Sequence, residues 1–512
     1  MDKAKTATSN EKNKRVVLNV ASGLLNQAIM IAFGLIIPRL YLVNFGSDVN
    51  GLTGTIKNIF AYLALLEAGV GLSAQYALYK PVANGDTEGI NAILSATRKI
   101  YLKSSVIYTA ATLVFALVYP FIAKTEVDYF TVFVLIMLYG IPGIIMYSLR
   151  GKYNAFLEVE GKRYVVTTLS TATLIISNVL RLLLLLVSDN LILIQATYCL
   201  PSVIQVVFIS IYAKRKYRWI DWKAKPDMSA MSQKRSVLIH QISGVIFANT
   251  DTIIISFMCG MNYASVYAVY SLFFSNFSKI ISSFTGGITF RFGHIYHSDK
   301  KRFESVFGAY ESVFYMLLFM AYTVMAAFLM PVIRLYTSGV SDAAIYDSTL
   351  ILLLFAACSV MSGVEIPLIQ LQTIAGKFDD TKNQAVAEMI INIVISLIAA
   401  WKLGVAGCLI GTIAALFYRI NAMIIYSSRS IFSRECSATY KRLITNAAVA
   451  VAVLILLGTE SCEAVSYLYV VGRACLNALW IGLMFLAVNV AIDFRVYAGL
   501  FGRLTAKLKK HA

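Results

Sequence analysis

Apolar stretches of about twenty residues recur along the whole chain, separated by short polar and mostly basic segments. At 1.5 Å of rise per residue, each is long enough to cross the roughly 30 Å of hydrocarbon in a bilayer. In that solvent a helix is the element that satisfies its own backbone polar groups within one such stretch. Of the 512 residues, 58% are hydrophobic and 14% charged, against about a quarter charged in soluble domains. The expected fold class is therefore an all-α polytopic membrane protein with about 14 transmembrane helices.

The first apolar run follows a polar, basic tail and has no small-residue cleavage site behind it, so it reads as an uncleaved anchor with its N-terminus inside. Short loops rich in Lys and Arg stay in the cytosol. With the N-terminus inside, all but eight of the 45 basic residues fall on the cytosolic side or the adjoining helix ends. The eight are Arg39, Lys57, Lys124, Arg181, Lys279, Arg334, Lys402 and Arg473. Both termini are thus expected in the cytosol. The net charge of +18 is spread over many juxtamembrane loops, which is what insertion and an anionic inner leaflet produce, so no nucleic-acid partner is inferred.

The longest polar interruption, KRKYRWIDWKAKPDMSAMSQKRS (214–236), reads as a hinge between two halves. Gly69 in LEAGVGLSAQYALYK and Gly286 in SFTGGITFRFGHIYH lie 217 positions apart; Gly161 in EGKRYVVTT and Gly376 in AGKFDDTKN lie 215 apart. A nearly constant offset across six passes predicts two copies in the same orientation, as in many transporters. The expected organisation is two pseudo-symmetric six-helix lobes plus two appended C-terminal helices. A cytosolic tail (1–15) precedes the N-lobe (16–213, passes 1–6), followed by the basic inter-lobe loop (214–236) and the C-lobe (237–430, passes 7–12). Passes 13 and 14 (443–491) and a basic cytosolic tail (492–512) complete the chain.

ALLEAGVGLSAQYALYKPVANGD (64–86), KYNAFLEVEGKRYVV (152–166), VLIHQISGVIFANTDTIIISFMCGMNYASVYAVYSLF (237–273) and the stretch 363–419, which opens GVEIPLIQLQTIAGKFDDTKN, resemble bacterial polysaccharide exporters. The family is the Wzx-type flippases of the multidrug/oligosaccharidyl-lipid/polysaccharide (MOP) superfamily. The resemblance implies an alternating-access carrier in the bacterial cytoplasmic membrane with a cationic central cavity. Its cargo would be an undecaprenyl-diphosphate-linked oligosaccharide destined for surface polysaccharide, and its partners membrane lipids, a polysaccharide polymerase and glycosyltransferases. No cofactor is implied beyond H⁺ or Na⁺ as a coupling ion.

A diphosphate and a sugar head cross hydrocarbon only along a polar, charge-matched path. Lys and Arg supply such charge, Arg as a bidentate fork for phosphate oxygens. The candidates are Lys57, Lys279, Arg39, Arg181 and Arg419. Lys279 and Arg419 lie deepest, and Lys279 is the foremost. Arg39 and Arg181 lie nearer the outer interface, where snorkelling is the competing role; pairing with an acid is the competing role for Lys279, reach to the outer surface for Lys57, and a place at the cytosolic end of its pass for Arg419. The acids Asp251, Glu67 and Glu365, with His240 three turns from Asp251, are candidates for ion coupling. Glu311 and Glu388 read instead as neutralisers of the cations just named.

Gly407, Gly411 and their like permit close helix approach, and Pro142 and Pro367 permit bends. The seven cysteines are scattered with no CxxC pair, so neither a disulfide framework nor a zinc site is implied. There is no phosphate loop, HExxH or GxSxG, and the outer loops are short, the longest being about 332–346; the chain is not expected to be an enzyme. The alternative to a flippase is an ion-coupled multidrug or metabolite antiporter of the same superfamily.

Overall fold

The computed structural model describes residues 2–67, 70–229, 235–432, 435–459 and 465–499. Among them are fifteen α-helices and no strand. Eleven segments are long and apolar enough to cross a membrane. Two of these are bent double: α1 (Asp2–Leu63) at Gly46 and α13 (Phe378–Ser430) at Gly404, each bend with a positive φ inside it. Counting both limbs of each, and adding α10 (Met261–Ser298), gives the fourteen expected passes. Large apolar side chains stay exposed along the helices, as at Val106, Leu186, Ile455 and Leu468, a surface that only lipid covers without penalty.

The chain forms two compact units, residues 1–265 and 266–512. In the first, α1, α3 (Thr87–Ile122), α4 (Tyr129–Ile145) and α5 (Gly151–Val159) share a core of Leu52, Ile56, Tyr108, Tyr119, Leu135 and Phe156. The helix α9 (Arg235–Met258), seventh in the order of passes, packs on α1. There the Tyr62 and Thr250 hydroxyls lie 2.6 Å apart, and Asn50 donates to Ser265 at 2.6 Å. Backbone approach is closest at Gly51, where a Cβ would stand 1.8 Å from the Met261 carbonyl oxygen. The contact boundary at Ser265 thus falls one pass beyond the boundary that the repeat assigns to the lobes.

The repeat is visible in backbone detail. After α5, Gly161 donates to the Glu158 carbonyl and Lys162 to that of Leu157; after α12 (Thr349–Ala375), Gly376 donates to Thr373 and Lys377 to Gln372. Both glycines are left-handed, at φ 74 and φ 67, the helix-ending geometry that glycine adopts without a Cβ clash. A third pair, Gly46 and Gly260, both at positive φ and 214 positions apart, marks the turn after the first pass of each copy.

Residues 217–229 of the connecting segment are packed under the first unit. Tyr217 stacks edge-on against Phe156 and Trp222 against Tyr153. Asn91 bonds Trp219 and Asp221, and Arg98 donates to the Trp222 carbonyl. Tyr217 also meets Glu160 and Lys162, and burial holds the Lys162 ammonium below the ordinary lysine value. The hinge expected over 214–236 is therefore largely part of the first unit; residues 230–234 lie outside the described residues.

The centre of the second unit is α11 (Lys300–Tyr336), buried around its circumference from Phe303 to Tyr336. Packed on it are α12, α14 (Ser437–Leu457) and α15 (Tyr467–Ile492). A polar clamp seats the last two helices. Arg442 donates to Glu311 at 2.8 Å and to Asp493 at 2.6 Å, Thr439 donates to Glu311, Ser312 to Asp493, and Asn446 and Asn489 exchange side-chain bonds. Glu311 is fully buried and neutralises Arg442, a cation that is not among those singled out in the sequence.

Candidate functional site

In the first unit, α6 (Arg163–Val187) turns a buried polar stripe inward at four-residue spacing: Thr173, Ser177 and Arg181, followed by Leu185. This stripe meets an interruption in the sixth pass, where α7 (Leu191–Ala196) and α8 (Leu200–Lys216) are joined by the tight turn Thr197–Cys199. Ser177 donates to the Thr197 carbonyl at 2.6 Å, and Arg181 Nε to Thr197 Oγ1 at 3.0 Å. The guanidinium also lies over the Tyr198 ring, 5.8 Å from its centroid. Tyr139 contacts Tyr198, and Tyr41 donates to Gln195 Oε1 at 3.1 Å.

Arg181 is 9% exposed, so its side chain is enclosed among the helices of the first unit. Among the described residues no carboxylate stands within ion-pair distance of it. Gln195 Nε2 beside it is buried without a hydrogen-bond partner. A buried cation and unused donors, surrounded by phenols, form an environment suited to an anion or a strongly polar group.

The second unit holds the opposite balance. Arg419, on the second limb of α13, lies 3.5 Å from Glu388 on the first limb and donates to the Thr381 carbonyl and Gln384 Oε1, both at 3.3 Å. Glu365, from α12, faces the same pair, and its Oε1 is buried with no hydrogen-bond partner. Two carboxylates around one guanidinium leave the cluster one positive charge short of neutrality. A proton or a monovalent cation restores that balance. The limbs come together because Gly407 and Gly411 have no side chain: a Cβ at Gly411 would meet Ser396 Oγ at 2.2 Å.

The remaining candidates are dispersed. Lys279 is exposed on α10, with its Nζ 3.3 Å from Asn276 Oδ1, and Lys57 is exposed on α1. Arg39 and His240 are half-buried, while Asp251 is buried in α9 beside the Tyr62–Thr250 pair. The side chain of Glu67 lies outside the described residues. Two groups escaped the sequence reading: Gln195 with Thr197 and Tyr198, and Arg442 with Asp493. The available signal was the polar set Gln195, Thr197 and Tyr198 just before Pro201, at which an otherwise apolar pass breaks. Among the described residues there is no cluster of His, Cys, Asp and Glu that could hold a metal ion.

No family model matches the sequence, and no curated protein matches it. Solved structures do. The lipid II flippase MurJ in an inward closed conformation superposes with a TM-score of 0.66 at 13% identity, covering 93% of this chain and 99% of that one. An inward-facing multidrug resistance MATE family transporter of the MOP superfamily gives 0.62 at 14% identity, covering 83% and 99%. A MOP superfamily transporter from Pyrococcus furiosus, described as having a binding pocket of reverse polarity, gives 0.51 at 13% identity, covering 86% and 96%. At such identities the likeness is one of fold, and the fold of this polytopic membrane protein is the one shared by MOP-superfamily transporters and flippases.

Proposed function

We propose that the chain is a flippase that carries an undecaprenyl-diphosphate-linked oligosaccharide across the bacterial cytoplasmic membrane by alternating access, with both termini in the cytosol. The observation that carries this reading is Arg181. A guanidinium kept inside a bundle without a carboxylate within reach costs folding free energy, a cost that an anionic passenger offsets and a cationic drug raises. The basic residues Lys57, Lys279 and Arg39 supply further positive charge for the diphosphate, and Arg419, tied to Glu388, supplies less. The superposition on a lipid II flippase over nearly the whole chain supports a lipid-linked cargo.

The cluster of Glu365, Glu388 and Arg419 is proposed to couple transport to an ion, H⁺ or Na⁺, by filling and emptying its charge deficit. Asp251 and His240 are the alternative coupling groups in the first unit. The same acid excess favours a second reading, an ion-coupled antiporter of drugs or metabolites. Partnership with a polymerase and glycosyltransferases belongs to the first reading alone.

Purified protein in liposomes tests the choice. Fluorescent lipid-linked oligosaccharide in the inner leaflet should become accessible to an external enzyme that trims its sugars, and Arg181→Ala should slow this. Efflux of a cationic dye with no movement of the lipid-linked sugar would favour the antiporter.

A further inference from the structure

The first unit carries an apolar groove of about 740 Å³ along α3, open to the surrounding lipid. One side is α3 itself, through Val106, Ala110, Val114 and Val118; Ile59 of α1 and Phe257 of α9 form the other. The small side chains of Ala110 and Ala111 leave the depression, and the rings of Phe115 and Tyr119 floor its far end. Its length decides what fits. From Val106 to Ile122, at 1.5 Å per residue, the groove runs about 24 Å along the helix, whereas one leaflet offers about 15 Å, half of the hydrocarbon thickness. An ordinary acyl chain fills only part of it.

Charge brackets the groove at both ends. Lys99 and Lys103, both exposed, precede Val106 and Ile107 by two turns and one turn, and the steps from 99 to 103, 107, 110 and 114 keep them on the face that bears the groove. At the opposite end Lys124, also exposed, follows Ile122 by two residues and donates to the Met258 carbonyl at 3.3 Å. An anionic head thus meets a cation at either end of the groove while an apolar tail stays in the slot.

We infer that this groove holds the tail of a polyprenyl phosphate carrier, with Lys99 and Lys103 receiving its head on one side of the membrane and Lys124 on the other. This inference rests on the flippase reading and names where the tail of the cargo runs while the head crosses.

The test uses the full chain in nanodiscs of phosphatidylethanolamine and phosphatidylglycerol, with the photo-crosslinker benzoylphenylalanine at Val114 or, as a lipid-facing control, at Ile455. Radiolabelled undecaprenyl phosphate should label the Val114 protein several-fold more than the Ile455 protein. Excess unlabelled undecaprenyl phosphate should suppress the label, and excess phosphatidylglycerol should not. The double variant Lys103→Gln/Lys124→Gln should lower labelling while leaving the unfolding temperature unchanged. Filling the groove with Ala110→Trp should lower labelling too. Equal labelling at both positions, or equal competition by phosphatidylglycerol, means bulk lipid only and overturns the inference. Translocation of lipid-linked oligosaccharide by the wild type without labelling at Val114 removes the groove and leaves the flippase reading. Selective labelling without translocation supports the groove and removes that reading.

Discussion

Arg181 Nε donates to Thr197 Oγ1 across 3.0 Å, which fixes the guanidinium to the break in the sixth pass. The remaining guanidinium donors have no carboxylate within ion-pair distance among the described residues. If they serve an anionic cargo, Arg181→Ala removes a charged hydrogen bond to that cargo, worth about 1.5–3 kcal/mol, and translocation should fall roughly ten- to hundredfold. Arg181→Lys should retain part of the rate. Flipping by proteoliposomes, normalised to inserted protein, checks this, and unchanged flipping by Arg181→Ala would remove the residue from the mechanism.

The two carboxylates around Arg419 make a separate prediction. Glu365→Gln removes the unpaired carboxyl and leaves the Glu388–Arg419 pair, so the protein should fold and insert as before. Transport driven by an imposed pH or Na⁺ gradient should then lose its dependence on that gradient. A variant that follows the gradient as the wild type does would transfer coupling to Asp251 and His240.

Arg442 holds Glu311, which is fully buried, together with Asp493. Arg442→Met strands both carboxylates, and breaking a buried pair in this way costs about 3–5 kcal/mol. The expected result is a markedly lower unfolding temperature in detergent. The triple change Arg442→Met/Glu311→Gln/Asp493→Asn should recover much of the loss, because the remaining groups no longer carry buried charge. Equal instability of the single and triple variants would show that packing by the arginine stem, rather than charge, seats α14 and α15.

Gly51 faces the Met261 carbonyl so closely that any Cβ must displace backbone. Overpacking of this kind costs about 1–3 kcal/mol or more. Gly51→Val should therefore lower the yield of folded protein and its thermal stability, whereas valine at Gly34, where a Cβ meets nothing within 4 Å, should be nearly neutral. Size-exclusion profiles and melting curves of the two variants compare them directly.

The amino-acid sequence by itself determined the class of solvent, the number of passes and the repeat, because each depends on local properties. Insertion sums hydropathy over about twenty consecutive residues, and Gly161 and Gly376 end their helices through bonds to carbonyls a few residues back. Tertiary structure decided which charges are satisfied. Ser312 and Asp493 are 181 residues apart, and Tyr41 and Gln195 are 154 apart. No periodicity within one helix selects which face of a distant helix it meets. For that reason the burial of Arg419 was legible but its pairing with Glu388 only in kind, the contact of Arg181 with Thr197 was not legible, and the Arg442 clamp escaped notice. A charge in hydrocarbon is costly wherever it occurs, so the chain announces it; whether a carboxylate, a phenol or a passenger offsets that cost depends on how the helices pack.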